Sequence, residues 1–181
     1  MKAVWAFAGM SALAAARLDA QGVWERRAEY PIQATEVSAA ALGGKVYAVC
    51  GLTASGSVSR LFVYDPRRDE WSEGAATPLE GGADHCNVAA AGGKLYLLGA
   101  IRIGSSFVDG NTYEYDPARN AWQAVARMPT PRGASGVTAI GSKIYVAGGW
   151  REGAAWRRSR YSTRRRASGR GCRTCRRRGI I

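Results

Sequence analysis

One spacing constrains this chain more than any average property does. Tyr47, Tyr96 and Tyr145 recur at a constant interval of 49 residues, each just behind a small-residue pair and a lysine: Gly43-Gly44-Lys45, Gly92-Gly93-Lys94 and Gly141-Ser142-Lys143. Tyr64-Asp65-Pro66 follows the first of these and Tyr115-Asp116-Pro117 the second, and a tryptophan stands six residues past each Asp, at Trp71 and Trp122. The third unit opens in the same way and runs to Gly148-Gly149. A self-similar period of this length marks a stack of supersecondary units, each unable to bury its apolar surface without a neighbour.

Thr35 to Leu42, Lys45 to Cys50, Arg60 to Tyr64 and Glu70 to Ser72 read as four strands punctuated by turn residues, together one antiparallel sheet. Within Lys45 to Cys50, Lys45, Tyr47 and Val49 alternate with Val46, Ala48 and Cys50, so both faces are largely apolar. That suits a sheet held between two others. The diglycines are expected to permit close backbone approach between crowded sheets. In Tyr-Asp-Pro, proline fixes φ and the carboxylate accepts nearby amides, which specifies a turn locally. The second unit runs from Cys86 to Trp122, Met128-Pro129-Thr130-Pro131-Arg132 links it to the third, and Gly136 to Ile140 opens that one. Thr53 to Ser59 and Arg102 to Asn111, rich in Gly, Ser and polar residues, are expected to be long loops of a variable rim.

From Trp24 to Trp150 these residues resemble the kelch repeat, whose units are the blades of β-propellers. The resemblance implies an all-β fold, an incomplete β-propeller of two full four-stranded antiparallel blades plus part of a third, occupying residues 21–150. It implies structural roles for Gly43, Gly44, Tyr47, Tyr64, Asp65, Pro66, Trp71, Gly92, Gly93, Tyr96, Tyr115, Asp116, Pro117, Trp122, Tyr145, Gly148 and Gly149. Val23-Trp24-Glu25-Arg26 looks like the closing outer strand with which one chain end of a kelch propeller often completes the blade of the other. Rings of about 4 to 8 blades are typical, so this chain is expected to leave blade faces open and to self-associate through them.

The net charge of +12 would suggest a nucleic-acid partner if it were spread over the fold. It is not. Residues 151–181 hold 12 arginines and the single acid Glu152, so residues 1–150 are close to neutral. Cys50 stands where the repeat would place a strand-end glycine and Cys86 starts a strand, both as small buried residues. Cys172 and Cys175 have the spacing of half a zinc site without a second pair or a histidine beside them, so no metal and no cofactor is expected. Met1-Lys2 followed by the apolar run Ala3 to Ala16 has the layout of a secretory signal over residues 1–20, with small residues at Ala14, Ala16 and Ala20 for cleavage. The expected location is therefore secreted or periplasmic, with a cytoplasmic location if the run is an uncleaved arm. The run is too short to span a bilayer, which takes about 20 residues.

After Trp150 the pattern breaks into an arginine-rich tail, expected to be disordered. Reading each codon's third base with the next codon's first two, residues 156–181 permit E-A-F-E-V-F-D-P-A-A-G-E-W-A-R-L-P-D-M-P-T-P-R-H-H. That string has Asp-Pro, a Trp six places past the Asp and M-P-T-P-R six places past the Trp, the spacing of Asp116, Trp122 and Met128. The tail is therefore read as the third blade translated out of frame, which makes this chain a truncated fragment of its parent. The rival reading is an arginine-rich arm binding phosphate backbones through residues 151–181.

Function is expected from blade-end loops: a kelch-type scaffold binding a protein or a glycan, with Asp84, His85 and Arg132 as candidate binding residues and no catalytic residue. His85 is the single histidine of the chain. The resemblance extends to enzymes, namely sugar mutarotases and copper radical oxidases. One histidine argues against a copper centre. A mutarotase needs acid and base groups over a sugar, for which Glu80, Asp84 and His85 form the nearest cluster in sequence.

Overall fold

The computed structural model describes residues 24–102, 104 and 108–151, so the signal-like run, Cys172, Cys175 and all of the arginine-rich tail but Arg151 lie outside the described residues. Twelve strands are described: β1 (Ser38–Leu42), β2 (Lys45–Val49), β3 (Leu52–Thr53), β4 (Gly56–Ser57), β5 (Leu61–Asp65), β6 (Glu70–Gly74), β7 (Val88–Ala91), β8 (Lys94–Ile101), β9 (Val108–Asp116), β10 (Ala121–Arg127), β11 (Gly136–Ile140) and β12 (Lys143–Ala147). They form two four-stranded antiparallel sheets, β1-β2-β5-β6 and β7-β8-β9-β10, and two two-stranded ones, β11-β12 and the short hairpin β3-β4. The four-stranded sheets and β11-β12 are the two blades and the partial third that the repeat implies.

The inner strands carry small side chains, Ser38-Ala39-Ala40-Ala41 in β1 and Val88-Ala89-Ala90-Ala91 in β7. Alanine is a poor strand former in isolation, but β7 packs against both β1 and β11, and bulk there would hold the blades apart. Two-residue hairpins Gly43-Gly44 and Gly92-Gly93 join inner strands to the next, with φ of 59° and 75° in the first and 57° and 77° in the second. The expected reason for these glycines is corrected. A Cβ on any of the four would meet no atom within 4 Å, so left-handed backbone, not crowding, demands glycine there.

The recurring polar residues repeat their bonds as well as their positions. Asp65 accepts from the Arg67 amide at 3.0 Å and Asp116 from the Ala118 amide at 2.9 Å, while their carbonyls accept from the Arg68 and Arg119 amides, both at 3.2 Å. Each is a turn with Asp first and Pro second. Lys45 reaches Asp65 at 3.4 Å and Lys94 reaches Asp116 at 2.6 Å, clamping the second strand of each blade to the end of the third. The Tyr64 hydroxyl donates to Asp69 and the Tyr115 hydroxyl to Asn120, acceptors that both take positive φ, 53° and 48°. Trp71 donates from Nε1 to the Ala28 carbonyl at 3.1 Å, and Trp122 to the Ala75 carbonyl at 2.9 Å.

That last pair locates the N-terminal segment. Ala28 lies four residues past Trp24 as Ala75 lies four past Trp71, and the Ala28 and Ala75 amides donate to Asp69 and Asn120 in the same way. The segment thus keeps the register of an outer strand but is not one. Residues 24–27 make no ladder and Trp24 is wholly exposed, because the sheet it would complete is absent among the described residues. The expected loops are corrected too. Residues 53–59 contain part of the β3-β4 hairpin, and β9 begins at Val108, inside the stretch read as loop.

The core lies between the first two blades, where Tyr47, Val49, Cys50 and Leu61 meet Val88, Leu95, Leu97 and Tyr115. Leu61, Leu95 and Leu97 are completely buried. Burying such a side chain contributes roughly 1.5 to 3 kcal/mol.

Candidate functional site

The blade ends are set by backbone pairs that keep the 49-residue interval: Thr35 bonds Leu52, the Asp84 amide bonds the Ile101 carbonyl, and Gly133 bonds Trp150. The residue after each first member is therefore equivalent, and these are Glu36, His85 and Ala134. All three stand where the chain enters an inner strand, and Glu36 and Ala134 do so with φ of 55° and 52°.

Here blades 1 and 2 bring charge together. His85 Nε2 lies 3.2 Å from Glu36 Oε2, and Nδ1 lies 2.5 Å from Asp84 Oδ1. Asp84 is fully buried and accepts from Ser57 Oγ at 2.6 Å and from the His85 amide at 3.1 Å. Donation of Nδ1–H to Asp84 fixes the ring and leaves the Nε2 edge beside Glu36, where 19% of the imidazole and 45% of the Glu36 side chain are exposed. An imidazole whose Nδ1–H is held by a buried carboxylate can accept at Nε2 from a hydroxyl, and the same arrangement serves general acid–base chemistry.

Asp84 and His85 therefore adjoin, with Asp84 acting through His85 because it presents no surface. Arg132 is placed otherwise. Its guanidinium donates to the Gly148 carbonyl at 2.8 Å and the Thr130 carbonyl at 3.2 Å, tying the interblade link to the partial blade. Glu80 lines a different cleft, of about 310 Å³, with Pro78, Asp109, Asn111, Tyr113 and Arg127. In it Asp109 accepts from the Tyr113 hydroxyl at 2.9 Å, and burial first, with that carboxylate assisting, raises the Tyr113 pKa. Sequence reasoning missed Glu36 and Ser57. Counting 49 residues back from His85 would have found Glu36; Ser57 lies in a stretch read as loop, and its bond to Asp84 depends on how the chain folds back at the blade end.

Among the described residues no three His, Cys, Asp or Glu side chains gather as a metal site, and no helix is long and apolar enough to cross a membrane.

Residues 34–78, the stretch that builds blade 1, match the kelch motif. The chain is a kelch-repeat protein. Among proteins similar to this kelch chain are Kelch-like protein 15 of Danio rerio, 29% identical over 147 residues and covering 70% of the chain, and Kelch-like protein 25 of Homo sapiens, 31% identical over 129 residues and covering 68%. Kelch-like protein terF of Aspergillus terreus is 28% identical over 131 residues, covering 67% of the chain and 28% of the relative. The chain spans about a quarter of the length of its curated relatives, 24% of Kelch-like protein 15 and 22% of Kelch-like protein 25. The solved structure of YjhT aligns with a TM-score of 0.58 and 25% identity, over 70% of the kelch chain and 37% of YjhT.

Proposed function

We propose that this kelch chain is part of a binding scaffold that engages a protein or glycan through the blade-end loops around Glu36, Ser57 and His85. One observation carries the reading. Lys45, Asp65, Lys94 and Asp116 recur from blade to blade and are committed to ion pairs of the frame, whereas Glu36, Asp84 and His85, which do not recur as residue types, meet where the inner strands begin. A repeat scaffold keeps its frame constant and varies its rim.

A second reading, a remnant of a sugar mutarotase, is favoured by the contact of His85 with Asp84 alone. There His85 would take the proton of the anomeric hydroxyl while Glu36, in place of Glu80, gives a proton to the ring oxygen, so that the ring opens and recloses. A glycan-binding screen run beside an anomerisation assay, on the protein with the third blade restored to frame, separates the two. Binding lost in His85→Ala without any anomerisation supports the scaffold; sugar anomerisation abolished by the same substitution overturns it. Export is proposed on the N-terminal run, and sequencing the N-terminus of protein recovered from the periplasm or medium tests it.

A further inference from the structure

Two cysteines from neighbouring blades meet in the core. Cys50 follows the second strand of blade 1 and Cys86 leads into the first strand of blade 2, and both are buried as free thiols in the hydrophobic cluster between the two sheets. Backbone bonds bring them there. The Gly51 amide donates to the Ala83 carbonyl at 3.1 Å and the Ser38 hydroxyl to the Cys86 carbonyl, so the strand end of one blade lies along the entry segment of the next. The two thiols are in hydrogen-bonding contact. Cys50 also stands where the repeat otherwise places glycine. Its counterparts at intervals of 49 residues are Gly99 and Gly148, with φ of 74° and 72°, and Cys50 itself takes φ 58°, a left-handed conformation that strains a residue bearing a side chain. A Cβ on Gly99 would meet the Arg132 carbonyl at 2.4 Å, so the next junction has no room for a side chain at that place. Cys86 is no more recurrent, since Val37 and Ser135 hold its position in the other units. The two cysteines depart from the repeat together, at the junction where they touch, and the strain carried at Cys50 points to a task beyond the turn.

We propose that Cys50 and Cys86 form a disulfide that staples blade 1 to blade 2. The bond closes a loop that holds β5, β6 and the link between the blades, with the cysteines 36 residues apart in sequence, and a cross-link over that span restricts the unfolded chain strongly. The structure shows the reduced pair. Its oxidation takes a small-molecule disulfide such as oxidised glutathione. One cysteine thiolate attacks a sulfur of that disulfide and expels a first glutathione thiolate; the second cysteine attacks the mixed disulfide, forms the Cys50–Cys86 bond and expels the other. The two glutathione thiolates take up the two protons that the cysteines release, so one disulfide is reduced as one is made. Because both sulfurs are buried, the exchange belongs to the moment when the blades close or open on one another. An oxidising compartment of the kind export would reach keeps the bond, and a reducing one keeps the thiols.

The staple is independent of what the rim binds, and its test requires neither a rim ligand nor export. The full chain is refolded from urea in mixed reduced and oxidised glutathione, alkylated while unfolded and cut with trypsin without reduction. Peptides 46–60 and 69–94, which carry Cys50 and Cys86, should be recovered joined, two hydrogens lighter than their sum. Dithiothreitol should then lower the urea midpoint of the refolded chain by about 1 to 2 M. Cys50→Gly, which installs the residue of the next blade, should lose that sensitivity to dithiothreitol. Recovery of the two peptides each alkylated at its own cysteine overturns the proposal, as does either of them joined instead to Cys172 or Cys175. So does an oxidised chain no more stable than the reduced one.

Discussion

Leu95 and Ile144 offer a controlled comparison, because they occupy the same repeat position with side chains of equal size and differ only in what covers them. Leu95 is completely buried between two finished blades, whereas Ile144 is half-buried on the wall of an open cleft between blade 2 and the partial blade. Truncating Leu95 to Ala removes its transfer free energy and leaves a void that packed neighbours cannot fill, a cost of about 3 to 5 kcal/mol. Truncating Ile144 adds little void to a space already open and forfeits part of its transfer term, about 1 kcal/mol. Urea unfolding followed by tryptophan fluorescence measures both. With a slope of roughly 2 kcal/mol per molar, Leu95→Ala lowers the midpoint by about 1.5 to 2.5 M and Ile144→Ala by about 0.5 M. The comparison must be run at several protein concentrations, since pairing of two chains across the open faces would bury Ile144 and raise its cost as concentration rises. Equal costs at the lowest concentration, where chains are monomeric, would refute the claim that the cleft is open and the core confined to the first interface.

Asn120→Ala should destabilise by about 2 to 3 kcal/mol, losing the bonds from the Ala75 amide and the Tyr115 hydroxyl and straining backbone held at φ 48°, while Asn120→Gly should cost about 1 kcal/mol less; thermal melts rank the two. Acid should weaken the fold progressively as pH falls from the ordinary carboxylate range. Asp116 is held below its usual pKa first by Lys94 and Asp65 first by the Arg67 amide, so their contribution is present above the unfolded-state pKa and lost as pH drops through the lower folded value. Lys94→Met should flatten that acid limb in urea titrations between about pH 5 and 2, and an unchanged limb would remove the pair from the account. Cys86 is buried, and burial first, then its contact with Cys50, raises its thiol pKa. In a Cys172→Ser, Cys175→Ser background, maleimide at pH 8 should therefore label neither core thiol of the reduced chain until denaturant is added; rapid native labelling would contradict the burial.

The repeat made the blades legible because its landmarks perform repeated local tasks: a two-glycine hairpin, an Asp-Pro turn, a tryptophan reaching the preceding segment. Composition would have failed on β1 and β7, whose alanines speak against strands and are selected by the convergence of three inner strands. Bonds between repeat residues were less visible. The Lys45–Asp65 and Lys94–Asp116 pairs join positions about twenty residues apart, and only strand pairing shows that they meet. Asp84 and His85 could be singled out as adjacent ionisable groups, but burial of the first depends on how blades stack. Arg132 invited a binding role by its charge, and its commitment to backbone carbonyls could not be read from neighbours in sequence.

Asn87 sits at the head of blade 2 and reaches beyond it. Its side chain donates to the Leu98 and Arg132 carbonyls, at 2.7 and 3.1 Å, and accepts from the Ser135 amide at 2.8 Å, while Ser38, its counterpart in blade 1, bonds the Cys86 carbonyl of the following entry segment. Each unit thus brings the coupling for its successor within its own sequence. Tandem duplication of one such stretch of gene would deliver a module already fitted to its upstream neighbour, so arrays of this kind can lengthen by copying, without simultaneous redesign on both sides of the join.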